Sequence, residues 1–215
     1  MGERIMRILI VGASKGIGLE TVRQALASGH EVRALARSAE DISVTDPKLA
    51  KIRGDALNTE DVAGALTGVD AVVLTLGIGL SELFKPVNLF SNATQVLIEA
   101  MKAQGVKRLV CVTGFGAGDS QASIGPLQRL PFNIVFGYAY EDKTRQEKLI
   151  RDSPLDWTIV RPGVLTNGPR TGRYKVLRKS SEWRNGIISR ANVADFLVRE
   201  IEEANCLHQT PVLVK

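Results

Sequence analysis

The chain is poor in the residues that signal disulfides, metal sites or membrane spans. It carries two cysteines and two histidines in 215 residues. Cys111 and Cys206 lie in apolar surroundings far apart in sequence, which points to free thiols and a reducing, cytoplasmic setting rather than a disulfide framework. No cluster of His, Cys, Asp or Glu has metal-ligand spacing, so no metal is expected, and no Ser/His/Asp arrangement marks a nucleophile. His30, at the end of the first expected helix, and His208, in the tail, both read as structural. The apolar runs are far shorter than the ~20 residues of a membrane span, and no signal-peptide pattern precedes the first strand. Aromatic residues make up only 5%, and they are not interleaved with basic ones as on a base-stacking surface. Neither a membrane nor nucleic acid is therefore expected as a partner. With no repeat, linker or low-complexity segment, residues 1–215 read as a single domain.

What is present is an ordinary globular balance, 44% hydrophobic and 24% charged, with a net charge of +5 that favours anionic ligands. The stretch from Arg7 to Gly18, RILIVGASKGIG, organises the rest. Ile8, Leu9, Ile10 and Val11 form a continuous apolar run, the pattern of a strand buried on both faces. The run breaks at Gly12 and resumes at Ile17 as a helical pattern through Val22 and Leu26. Strand, glycine-rich turn and helix are the context of a dinucleotide-binding turn. Gly12, Gly16 and Gly18 allow tight turning and close approach, so that N–H groups near Ile17 face a pyrophosphate at the helix N-terminus.

The chain then alternates. A second strand over 30–36 ends at Ala36, Arg37 and Ser38, where an NAD-preferring site usually carries an acid for the ribose hydroxyls. An acid there would repel a 2′-phosphate, whereas Arg37 attracts one. Lys15 adds a second cation and Ser14 a hydroxyl donor, and NADP(H) is expected over NAD(H). The alternative is that Arg37 is a solvated loop residue. A brief strand over 51–53 leads to Gly54, Asp55 and Ala56; the Asp55 carboxylate either accepts from the adenine amino group or caps the next turn. A helix capped by Asn58 stops at Gly68, and a doubly buried strand over 70–76 ends at Leu76, Gly77 and Gly79, small enough to let a ligand pass over the sheet edge. A loop over 78–86, a helix over 87–103 and a fifth strand over 107–113 follow, with Thr113 and Gly114 at the strand end where ligands of open α/β sheets collect. Residues 115–136, rich in Gly, Ser, Gln and Pro, read as a long irregular loop, a lid over the substrate. A helix over 138–150 and a strand over 156–161 stopped by Pro162-Gly163 come next. Residues 166–186 read as a surface hairpin whose basic residues form either a solvated face or a rim for an anionic substrate or nucleic acid. Ser189 caps a last amphipathic helix, and 211–214 is expected as an edge strand.

These parts resemble the atypical short-chain dehydrogenase/reductase superfamily, in the small NAD(P)H-binding branch of biliverdin-IXβ reductase/flavin reductase-like and NmrA-like proteins. The resemblance is carried by GASKGIG at 12–18, GDA at 54–56, VKRLVCVTG at 106–114, YEDKTRQEKLI at 140–150, DWTIVRPG at 156–163 and ISRANVADF at 188–196. It implies an α/β fold, a single Rossmann-type doubly wound parallel sheet in the order 3-2-1-4-5-6 with helices on both faces, binding NADP(H). Substrate-side elements fall at about 115–140 and 162–188, and Pro162 to Val164 shape the pocket floor. Family enzymes place a Tyr four residues before a Lys on one helix and a Ser or Thr after the fifth strand. Thr113 and Lys143 fit that pattern, and both also fall against the cofactor. The Tyr position, however, is Ala139. Tyr140 lies on the Lys143 side of a helix while Tyr138 points away, so Tyr140 either donates the proton or only packs at the helix start. The leading expectation is an NADPH-dependent reductase, a monomer or weak dimer, that transfers hydride to a small aromatic or conjugated acceptor such as a quinone, flavin, tetrapyrrole or carbonyl. The alternative is a non-enzymatic NADP(H)-binding redox sensor or assembly factor.

Overall fold

In the computed structural model, which describes residues 5–79 and 85–215 and only the backbone of 126–135, the first apolar run is a strand, β1 (Arg7–Val11), and the glycine turn feeds α1 (Gly16–Ala27). The alternation continues through β2 (Glu31–Ala36), β3 (Leu49–Arg53), α2 (Thr59–Ala65), β4 (Ala71–Leu74), α3 (Leu89–Gln104) and β5 (Arg108–Val112). Then come α4 (Pro126–Arg151), β6 (Asp156–Pro162), the short strands β7 (Val164–Thr166), β8 (Lys175–Leu177) and β9 (Ile187–Ser189), α5 (Arg190–Glu203) and β10 (Val212–Val214). The local signals act as their chemistry dictates. The Asn58 side chain accepts the N–H groups of Glu60 and Asp61 at the start of α2, and the Ser189 hydroxyl accepts that of Asn192 at the start of α5. Of the loop expected over 78–86, residues 80–84 lie outside the described residues.

The main sheet has eight strands in the order β3-β2-β1-β4-β5-β6-β10-β8, parallel except for the antiparallel pair β10–β8. Both faces are covered, which is why β1, β4 and β5 are apolar without alternation. Ile8, Ile10, Val73, Val110 and Val160 pack with Val22 of α1 and with Val193, Phe196 and Leu197 of α5. Leu9, Val11, Val72, Leu74, Leu109 and Ile159 pack with Val62 and Leu66 near α2, Leu97 and Met101 of α3 and Ile150 of α4. Each such fully buried side chain contributes roughly 1.5–3 kcal/mol. The order of the strands reverses between β1 and β4, and the crevice beyond their C-terminal ends is where an open α/β sheet takes its ligand.

Three expectations are corrected. The irregular loop over 115–136 is instead a 3-10 turn (Gly118–Ser123) followed by α4, which already starts at Pro126. Proline is tolerated in a first helical turn, where its missing N–H has no intrahelical partner to lose, and Pro131 further in removes one donor without ending the helix. The 166–186 segment is not a hairpin. The strands flanking it, β7 and β9, pair with each other in parallel, and a parallel pair needs a crossover rather than a tight turn. Nor is β10 an edge strand: it runs between β6 and β8, and its three residues are all buried, so β8 forms the edge.

Candidate active site

The glycine turn closes against the end of β4. Gly12 has φ +85°, and a side chain there would meet the Thr75 carbonyl at 2.9 Å; at Gly18 it would run into the Gly12 carbonyl. The turn thus needs glycine for close approach as well as for conformation. Behind it, α1 begins with Lys15 in extended backbone; among the described residues no side chain caps the helix, and no acid lies in its first turn. Its leading N–H groups are therefore open to an anion, and the cradle fits a dinucleotide diphosphate.

The β1–β2 register pairs Val11 with Leu35, so the two chains leave their strands side by side and bring Arg37 next to the turn. Arg37 and Lys15 are exposed, and among the described residues neither pairs with a carboxylate. Ser14 is half-buried in the same turn. Of the two roles left open for Asp55, the structure shows the capping one: its Oδ1 accepts the Leu57 N–H at 3.0 Å. Ala56 and Leu76 pack on the edge of the core and Gly77 is exposed.

At the C-terminal end of β5, α4 delivers two side chains. The Lys143 ammonium donates to the Thr113 carbonyl at 2.8 Å and lies 4.4 Å from the centre of the Phe90 ring. Burial pulls its pKa down to about 8, against the opposing pull of Glu147 and Asp142. The Tyr140 hydroxyl rests on Gly114, where a Cβ would stand 2.6 Å from it, and burial pushes the phenol up to about 12. Tyr138 is exposed, and Ala139 is buried against Val87 and Phe90. The structure therefore brings Thr113, Tyr140 and Lys143 together, with the side facing inward from position 139 filled by Phe90.

Thr113 is turned differently from a carbonyl-binding hydroxyl. Its Oγ1 donates to Glu147 Oε1 at 2.7 Å. Arg161 holds the same carboxylate with two hydrogen bonds and also reaches Asp119. Burial disfavours the guanidinium's charge, but Glu147 and Asp119 outweigh it and raise the Arg161 pKa. An arginine-paired carboxylate accepts, so the Thr113 proton points at Glu147 and only its lone pairs remain for a ligand. Pro162 is buried, whereas Val164 is 57% exposed and pairs in β7–β9 with Ile187, 53% exposed, leaving an apolar rim.

Residues 12–204 match the family described as NAD(P)H-binding. The chain belongs to this family. An uncharacterized chloroplastic protein of Arabidopsis thaliana is 30% identical over 204 residues, covering 91% of this chain and 71% of the relative. The uncharacterized sugar epimerase YhfK of Bacillus subtilis (strain 168) is 28% identical over 207 residues, covering 93% of this chain and 90% of its own. Among solved structures, ChuY, an anaerobillin reductase from Escherichia coli O157:H7, superposes with a TM-score of 0.79 at 26% identity, covering 97% of this chain and 96% of ChuY. As an NAD(P)H-binding family member with the atypical short-chain dehydrogenase/reductase fold, the chain takes a nicotinamide cofactor.

Several residues of this NAD(P)H-binding chain escape sequence reasoning because their partners are distant in sequence. Glu147 and Arg161 look like one more helix charge and one more strand end until they meet under Thr113. Phe90 opens α3 far from Lys143, and Arg190 opens α5 beside Gly16. For Arg190 a signal was available, since it directly follows the capping Ser189.

Proposed function

We propose that this protein is an NADPH-dependent reductase of a small, conjugated acceptor, the quinone, flavin, tetrapyrrole or carbonyl class. The observation that carries the reading is the convergence of Lys143 and Tyr140 on the end of β5, beside the crevice whose glycine turn presents an uncapped helix N-terminus. Gly12, Ser14, Gly16, Ile17 and Gly18 would cradle the diphosphate, with Arg37 and Lys15 on the adenosine 2′-phosphate. Asp55, Ala56, Leu76 and Gly77 would line the adenine-to-ribose path, and Thr113, Lys143, Pro162 and Val164 the nicotinamide end. Bound there, the cofactor supplies the hydride. Lys143 holds an ammonium proton at a pKa far nearer neutrality than the Tyr140 phenol, so Lys143 is the better proton source and Tyr140 a wall of the acceptor site. Thr113 acts through its carbonyl, which fixes the Lys143 Nζ. The apolar Val164–Ile187 rim favours an aromatic acceptor over a sugar.

A second reading, a nucleotide-binding protein without turnover, is favoured by Ala139 and by the commitment of the Thr113 proton to Glu147. Calorimetric titration with NADPH, NADP⁺, NADH and NAD⁺, followed by NADPH oxidation against a panel of quinones, flavins and aldehydes, tests both. Tighter binding of the phosphorylated pair, lost on Arg37→Asp, together with turnover above the buffer rate, is the expected result. Binding without turnover across the panel favours the second reading, and no binding of any of the four sinks both.

A further inference from the structure

Arg190 is the first residue of α5, placed there by the Ser189 cap. The start of α5 is in turn pinned to α1, because Gln24 donates to the Ala191 carbonyl at 2.8 Å. The result is that the Arg190 side chain lies over the glycine turn: a Cβ on Gly16 would stand 3.8 Å from its Nε. Gly16 opens α1, so the guanidinium and the uncapped helix N-terminus border the same volume. Arg190 is half-buried, and among the described residues its side chain makes one hydrogen bond, from an Nη to the neutral Asn167 side chain at 2.8 Å. Among the described residues no carboxylate pairs with it, whereas Arg170 and Arg199 nearby both pair with Asp195. A guanidinium held in place, short of a counter-ion, at the mouth of an anion-seeking turn is a binding group in waiting.

We infer that Arg190 binds the diphosphate of the dinucleotide, and that Asn167 is the positioning residue that aims it. The inference rests on the cofactor reading above but assigns a different role from that of Arg37, and the two roles separate in one experiment. Wild type, Arg190→Gln, Arg190→Lys, Asn167→Ala and Arg37→Asp are titrated calorimetrically with NADPH, NADH and 2′-AMP, which has the 2′-phosphate and no diphosphate. Melting temperatures serve as the folding control. Arg190→Gln should weaken NADPH and NADH by the same factor, about tenfold or more for one charge-assisted bond, and leave 2′-AMP unchanged. Arg190→Lys should recover part of the loss, and Asn167→Ala should show a smaller loss of the same kind. Arg37→Asp should do the reverse, weakening NADPH and 2′-AMP but not NADH. Unchanged affinity for both dinucleotides in a folded Arg190→Gln protein overturns the inference, as does a loss confined to NADPH and 2′-AMP, which moves Arg190 to the 2′-phosphate. If wild type binds 2′-AMP and neither dinucleotide, the cofactor reading falls and this inference with it.

Discussion

Lys143 concentrates the chemistry at the scale of single residues. Its Nζ is fixed by a carbonyl 2.8 Å away and an aromatic face 4.4 Å away, in a setting that lowers its pKa to about 8. The sign of the resulting pH dependence follows directly. Below about 8 the ammonium keeps its proton and acts as donor; above it the amine is neutral and the proton source is gone. NADPH-dependent kcat/KM, which reports the free enzyme, should therefore fall about tenfold per pH unit above pH 8. Lys143→Met should lower the plateau and abolish that limb, and a rate flat to pH 10 would remove Lys143 from proton delivery. The lysine was legible in the sequence because the helix pattern around it is a local fact and the resemblance to family enzymes implies a lysine on that helix. The orientation of the Thr113 hydroxyl was not, since it is decided by Glu147 and Arg161, which arrive from two other elements.

Between elements, the important joint is the one that seats α4 on α3. The start of α3 has no cap from its own Asn88 side chain. Instead Asp142, fully buried on α4, accepts the Phe90 N–H at 2.8 Å, the Ser91 N–H at 3.4 Å and the Ser91 hydroxyl at 2.5 Å. One carboxylate thereby caps a neighbouring helix and, one residue before Lys143, sets Phe90 beneath that ammonium. Asp142→Ala would leave these donors unpaired in the interior and should cost about 2 kcal/mol, between the loss of a cap and that of a charged hydrogen bond. Urea unfolding reads it as a lower midpoint at unchanged slope; a cost below about 0.5 kcal/mol would mean water replaces the carboxylate. Elements with their own punctuation, such as α2 after Asn58 and α5 after Ser189, were legible from sequence. The 166–186 crossover and the place of β10 between β6 and β8 were not, because partner choice in a sheet is set by the strands that come alongside.

For the molecule as a whole, cofactor specificity should register as stability. The glycine turn leaves β1 at the centre of a sheet with a core on each face, and α1 and α5 meet over it, so a ligand there binds only the assembled fold. Such a ligand stabilises by RT ln(1 + [L]/Kd). One charge-assisted bond from Arg37 to a 2′-phosphate corresponds to about a ten- to hundredfold preference. At equal saturating concentrations NADPH should then exceed NADH by about 1.4–2.7 kcal/mol. A chain of 215 residues shifts its melting temperature by roughly 2–4 °C per kcal/mol, which makes the gap between the two cofactors about 3–11 °C by thermal denaturation. Arg37→Asp should close or invert that gap while leaving the NADH shift in place. Equal shifts from both cofactors in the wild type would show that the cation following β2 never meets the phosphate. Specificity would then have to be sought at Lys15 and Ser14, inside the turn itself.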